Sequence, residues 1–165
     1  MTTETIIDLR GVKKVYRTGE VEAPALRDVD FKIMGGEFTA VVGPSGSGKT
    51  TLLNLIGALD TATAGSIRVL GQDMSDMSRR QRADLRLHSL GFVFQAYNLI
   101  PVLTAQENVE FVLELQGMGA ERKGRAREIL SELGLEELAG RRPLQLSGGQ
   151  QQRVAVARAV ASRPR

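Results

Sequence analysis

The chain contains no cysteine. That absence excludes disulfides and thiolate metal sites, and it suits a reducing cytosol. Long hydrophobic runs are missing too: nothing approaches the ~18 consecutive apolar residues of a membrane span, so a role at a membrane would come through a partner. The N-terminus, Met1-Thr2-Thr3-Glu4-Thr5, carries an acid where a secretory leader has basic residues, and no long apolar stretch follows. A secretory signal is therefore not expected. Aromatic residues make up only 4% of the chain. They do not interleave with the basic clusters, Arg79, Arg80, Arg82 and Arg86, then Arg122, Lys123, Arg125 and Arg127, which hold most of the excess behind a net charge of +3. A nucleic-acid surface is conceivable there, but solvated helix faces are the commoner reading when stacking platforms are scarce. No internal repeat or low-complexity segment is present.

What is present suffices for a core. The chain has 165 residues, 42% of them hydrophobic, which is about one domain's worth. The segment Gly43-Pro44-Ser45-Gly46-Ser47-Gly48-Lys49-Thr50 fits G-x-x-x-x-G-K-[ST]. Gly43, Gly46 and Gly48 let the backbone turn back and aim successive N–H groups into a concavity for phosphate oxygens. Lys49 then reaches the β- and γ-phosphates, and the Thr50 hydroxyl ligates Mg²⁺. The flanks predict strand, loop and helix in that order. Phe38 to Val42 reads as a buried strand and Thr51 to Ile56 as the first turns of a helix, which puts the phosphates at a positive helix N-terminus.

Elsewhere, Ile6 to Leu9 and the alternating Val29, Phe31 and Ile33 predict strands of a half-exposed sheet, with Gly35-Gly36 as a turn. Ser66 to Leu70 predicts a further strand, Ser78 to Leu90 a surface helix, and Gly91 to Phe94 a return to β structure that delivers Gln95. Thr104 and Glu107 have the form of a capping box ahead of an apolar stripe of Val109, Val112 and Leu113. Gly117 and Gly119 end that helix, and another spans Ala120 to Leu133 with Gly134 as its stop. The last helix starts at Ser147 and runs towards Pro164.

The stretch Leu146-Ser147-Gly148-Gly149-Gln150 admits two readings. Ser-Gly-Gly before a helix is an ordinary cap. It also leaves the first helical N–H groups open to an anion, and the phosphate loop upstream favours this second reading.

Together these elements resemble the ATP-binding-cassette ATPases over nearly the whole chain, with Leu-Ser-Gly-Gly-Gln as the family's signature. Val15-Tyr16 ahead of Thr18-Gly19-Glu20, Gly91-Phe92-Val93-Phe94-Gln95, Asn98-Leu99-Ile100-Pro101 and Leu103 to Val109 look like the lipoprotein-releasing and macrolide-exporter type. The resemblance implies an α/β fold of phosphate-loop NTPase type in one ATP-binding domain. Residues 1–36 would form mainly an antiparallel β subdomain, 37–103 the phosphate-loop core, and 104–165 a helical subdomain with the signature helix.

It implies ATP and Mg²⁺ as cofactors. Nucleotide contacts would come from Tyr16, Gly43, Pro44, Ser45, Gly46, Ser47, Gly48, Lys49, Thr50 and Thr51, and from Ser147, Gly148, Gly149 and Gln150 of a second copy facing head to tail. Tyr16 would stack on adenine, although an ordinary core tyrosine is the other reading of that residue. Lys49 and Gln95 would be catalytic, and Thr50 and Gln95 would meet the metal. The implied protein is a homodimer on integral membrane permease subunits at the cytoplasmic face of the membrane, and nucleic acid is not expected as a partner. A soluble cassette ATPase acting on nucleic acid or the ribosome is the alternative, as is a nucleotide-binding fragment without hydrolysis.

One departure stands out. The family continues after Pro164 into an apolar strand ending in Asp-Glu, then to a dimer-contact loop and a switch histidine, whereas this sequence stops at Arg165. The only histidine, His88, reads as a surface residue. An incomplete form of a longer ATPase is expected, with weak nucleotide binding, little hydrolysis, and apolar surface left unburied around the phosphate loop.

Overall fold

The computed structural model describes residues 4–165. The chain divides into two compact units, the first ending at Ala83 and the second covering Asp84–Arg165.

The first unit is built on a long hairpin. β1 (Thr5–Thr18) and β2 (Val21–Met34) pair antiparallel through Gly19-Glu20, where Gly19 takes the positive φ that a two-residue loop demands. Expected alternation is present in β2: Val29, Phe31 and Ile33 are half-buried while Asp30 and Lys32 are exposed. β2 forms one edge of a sheet of order β2-β1-β3-β4, so Pro24, opposite Val15, interrupts no ladder on its outer side.

β3 (Ala64–Val69) pairs antiparallel with the other side of β1, and β4 (Gln72–Asp73) with β3. A Cβ on Gly65 would lie 2.4 Å from the Gly11 carbonyl oxygen, so only glycine lets these two strands close up. Helix α1 (Lys49–Ile56) buries Leu52 and Leu55. They join a core of Leu9, Val12, Leu26, Ile67, Val69 and Met74, and each such side chain contributes roughly 1.5–3 kcal/mol.

The phosphate-loop flank departs from the strand expected there. Glu37 to Val42 carries no ladder, and Phe38 is 98% and Val42 89% exposed. Five apolar or β-prone residues are not a strand by themselves, because ladder hydrogen bonds need a neighbour. Among the described residues no strand lies alongside. The expected unburied apolar surface is thus present.

α2 (Arg79–Ser89) spans the boundary of the two units. It opens on a reciprocal cap: Ser78 N donates to Gln81 Oε1 at 2.8 Å, and Gln81 N to Ser78 Oγ at 3.2 Å. His88 is exposed, as anticipated.

In the second unit, α3 (Ala105–Leu115), α4 (Arg122–Glu132) and α5 (Gly148–Ala161) share one core. Ala105, Val109 and Leu113 meet Ala126, Ile129 and Leu130 of α4 and Val154 and Ala157 of α5. The Thr104–Glu107 capping box is formed. Gly91 to Phe94 is not a strand either, again for want of a ladder partner; its Phe92 and Phe94 rings stack with centroids 5.7 Å apart.

Candidate functional site

In the first unit the loop Gly43–Thr50 wraps around the start of α1. Gly46 and Gly48 sit at φ 78° and 90°, in the left-handed region. Gly48 is further constrained by packing: a Cβ there would lie 2.7 Å from the Ala25 carbonyl oxygen and 2.9 Å from Leu26 Cδ2. A Cβ on Gly43 would lie 2.8 Å from Ser47 Oγ. The loop is therefore a cradle that only these glycines permit, seated against β2.

Lys49 completes it by folding back. Its Nζ donates to Gly43 O at 2.8 Å, Pro44 O at 2.7 Å and Ser47 Oγ at 3.4 Å. Those are the three N–H groups of an ammonium, so the side chain holds the loop's shape with the same atoms that can meet an anion. Thr50, at the first turn of α1, is exposed. Among the described residues no group of three or more His, Cys, Asp or Glu could hold a metal ion.

Tyr16 belongs to the same unit. It pairs with Ala23 on β2, two residues along from the Ala25 whose carbonyl abuts Gly48. The residue is 40% exposed. Its hydroxyl donates to Asp60 Oδ2 at 3.1 Å, and Lys14 Nζ lies 4.9 Å over the ring centroid. Tyr16 is therefore no ordinary core tyrosine.

Lys14 and Asp60 escaped the sequence reading. Lys14 is 8% exposed and its Nζ donates to Asp60 Oδ1 at 2.7 Å and Thr61 O at 2.8 Å. Burial pushes the Asp60 carboxyl upward. The hydrogen bonds from Lys14, the Thr61 N–H and Tyr16 outweigh it, and hold the group below the ordinary carboxylate value.

In the second unit, Ser147 caps α5. Its Oγ accepts from Gln150 N at 3.3 Å while Ser147 N donates to Gln150 Oε1 at 2.8 Å. The ordinary-cap reading of this stretch is borne out. The serine and glutamine side chains close the cap, and the N–H groups of Gly148 and Gly149, both exposed, are left pointing outward from the helix start.

Gln95 is exposed on the loop after Phe94. That loop is tied to α5 by two contacts that no local pattern announces. Arg158 donates to Asn98 O at 2.5 Å and Tyr97 O at 2.8 Å, bracing two consecutive residues with positive φ, 58° at Tyr97 and 49° at Asn98. The Tyr97 hydroxyl lies 3.7 Å from where a Cβ on Gly148 would sit. The structure therefore gathers Tyr16 with the phosphate loop in one unit, and Gln95 with the Ser147–Gln150 cap in the other.

Among the described residues no helix is long and apolar enough to cross a membrane.

The family model described as ABC transporter matches residues 26–165. The macrolide export ATP-binding/permease protein MacB of Marinobacter nauticus is 49% identical over 161 residues, 97% of this chain but 25% of its own length. An ABC transporter ATP-binding protein of Thermotoga maritima is 50% identical, over 96% of this chain and 68% of the relative. The lipoprotein-releasing system ATP-binding protein LolD 2 of Caulobacter vibrioides is 43% identical over 99% of this chain and 72% of its own. Among solved structures, the ATP-binding cassette MJ0796, a dimer in a post-hydrolysis state bound to ADP and Pi, superposes with a TM-score of 0.89 at 47% identity, covering 96% of this chain and 70% of that one. The chain thus spans about a quarter of the MacB relative and most of the smaller cassettes. With the phosphate cradle, the capped signature helix and an α/β fold shared at that level of likeness, the chain belongs to the ABC transporter family as an ATP-binding domain.

Proposed function

We propose that this domain binds Mg·ATP and, in the working protein, couples ATP binding and hydrolysis to the movement of substrate by separate or attached membrane permease segments. The observation that carries this reading is the Lys49 ammonium closed over the glycine cradle of residues 43–50.

In this assignment Gly43, Pro44, Ser45, Gly46, Ser47 and Gly48 offer backbone and hydroxyl groups to the phosphates. Lys49 exchanges bonds to Gly43 O or Pro44 O for phosphate oxygens, and Thr50 and Thr51 stand at the positive start of α1. Mg²⁺, when bound, would neutralise charge on the phosphate oxygens, with the Thr50 hydroxyl as a protein contact. Tyr16 offers its open face to the base. Ser147, Gly148, Gly149 and Gln150 of a second copy cover the nucleotide, so that ATP joins the dimer and loss of the γ-phosphate releases it. MJ0796 is itself dimeric, and MacB and LolD carry export and lipoprotein release in their names; both support the assignment. A peripheral position on the cytoplasmic face of a membrane follows from it, as does the division at 1–36, 37–103 and 104–165.

Hydrolysis by the 165-residue chain alone is proposed to be slight, since no apolar strand ending in Asp-Glu occurs in its sequence. Steady-state turnover at rates normal for the family would refute that part. For binding, the decisive experiment is calorimetry of Mg·ATP on the chain and on Lys49→Ala. Loss of a charge-assisted phosphate contact lowers affinity by about tenfold or more, and unchanged affinity overturns the assignment.

A further inference from the structure

Resting on the nucleotide assignment above, we propose that Lys14 and Asp60 are positioning residues for base recognition, fixing the Tyr16 ring so that a purine stacks on one face of it only. Lys14 and Tyr16 lie two apart on β1 and so project from the same side of the strand. The Lys14 ammonium stands 4.9 Å over the ring, close enough for cation–π attraction, and it closes that face to any planar ligand. Tyr16 as a whole residue is 40% exposed, so part of it stays open to solvent beside the ammonium.

The ring's rotation is also checked. The Tyr16 hydroxyl donates to Asp60 Oδ2 at 3.1 Å. The other oxygen of that carboxylate accepts from Lys14 Nζ at 2.7 Å and from Thr61 N at 2.7 Å. Asp60 is thus anchored by backbone and ammonium, and in turn anchors the phenol.

Two consequences follow. A ring already held in place loses little rotamer freedom when a base stacks on it, which favours affinity without any new contact. The hydroxyl is committed to Asp60 and cannot read the base edge, so Tyr16 contributes through its face alone. A partly buried Lys–Asp pair is by itself weak evidence for stability, since apolar residues of similar volume often serve as well. Here the pair ties β1 to residues 60–63 and also holds an exposed tyrosine, and the second contact is what links it to ligand recognition. The location fits: Tyr16 pairs with Ala23, and two residues further along β2 the Ala25 carbonyl abuts Gly48 of the phosphate loop.

The test compares Mg·ATP with inorganic tripolyphosphate, which has the phosphate chain but no base. Calorimetric affinities of both are measured on the 165-residue chain, on the double variant Lys14→Met/Asp60→Asn, and on Tyr16→Phe. The double variant is expected to lose about three- to tenfold in ATP affinity while tripolyphosphate stays within about twofold. Tyr16→Phe, which keeps the ring but frees it from Asp60, is expected to lose a smaller factor, again for ATP alone. Equal losses for both ligands, or no loss for ATP, overturn the proposal. If the double variant fails to fold, Tyr16→Phe decides, and an unchanged ATP-to-tripolyphosphate ratio overturns it. Wild-type binding of tripolyphosphate as tight as that of ATP would discard base recognition yet leave the phosphate cradle standing; binding of neither ligand discards both.

Discussion

Ser147 and Gln150 satisfy each other: the serine N–H donates to the glutamine Oε1 at 2.8 Å, and the glutamine N–H to the serine Oγ at 3.3 Å. The only two polar side chains of the Leu146–Gln150 stretch are therefore engaged in starting α5, and the main-chain N–H groups of Gly148 and Gly149 are among those that a helix start leaves without an intrahelical partner. Ser147→Ala removes one of the two capping bonds and is expected to lower stability by about 1 kcal/mol, with Ser147→Asn recovering most of it. Urea unfolding midpoints would check this, and equal stability of wild type and alanine variant would contradict it.

Gly48 faces two separate prohibitions. Its φ of 90° is costly for an L-residue, and a methyl group would run into the Ala25 carbonyl oxygen at 2.7 Å. Gly48→Ala is expected to cost on the order of 1–3 kcal/mol and to abolish detectable Mg·ATP binding. Gly46→Ala is the comparison: its φ is 78° but nothing lies within 4 Å of a Cβ there, so a smaller stability loss is expected. Thermal unfolding and calorimetry on the two variants separate clash from torsional strain.

Asn108, fully buried on α3, is the tie between that helix and the loop before it. Its Oδ1 accepts from Ile100 N at 2.7 Å, and its Nδ2 donates to Thr104 O at 2.9 Å and to Ile100 O and Leu103 O, each at 3.2 Å. Asn108→Ala would strand Ile100 N and Leu103 O, while Thr104 O and Ile100 O keep backbone partners, and is expected to destabilise by about 1–3 kcal/mol. Asn108→Asp, which keeps the acceptor and loses the donors, should be no better. A shift in denaturant midpoint without change in slope is the expected reading.

Acid sensitivity follows from Asp60. Its folded-state value lies below the ordinary one, so the unfolded chain takes up the proton first as pH falls. The stability it contributes is complete above about pH 4, the unfolded carboxylate value, and is lost as pH drops through the folded value. Asp60→Asn is expected to flatten the fall in stability below about pH 4 while leaving the slope near neutrality unchanged. Asp8, held low by Arg10, and Glu107, held low by Thr104, lie on the same acid limb, so a residual decline persists. Urea midpoints across the acid range would show an unaltered slope if Asp60 plays no part.

Legibility followed the distance between partners. The Thr104–Glu107 box lies within a single helical turn, and the glycine loop within eight consecutive residues, so spacing alone exposed them. Lys14 and Asp60 are 46 residues apart, and Arg158 and Asn98 are 60 apart. No periodicity carries information across such gaps, and a lone lysine on a strand reads as solvated until its burial is known. The misread segments, Phe38 to Val42 and Gly91 to Phe94, were apolar and β-prone as their residues promised. A ladder, however, is a property of two strands, and one of them cannot be inferred from the composition of the other.

By itself, then, the sequence determined what depends on neighbouring residues: the turn of the phosphate loop, the caps at Thr104 and Ser147, and the helices that follow them, because φ preferences and side-chain-to-backbone hydrogen bonds act over a few positions. Only the tertiary structure decided which surfaces meet. It set the Ala25 carbonyl against Gly48, the Lys14 ammonium over the Tyr16 ring and the Arg158 guanidinium on the backbone after Gln95, since contact and burial arise when distant segments exclude water from one another.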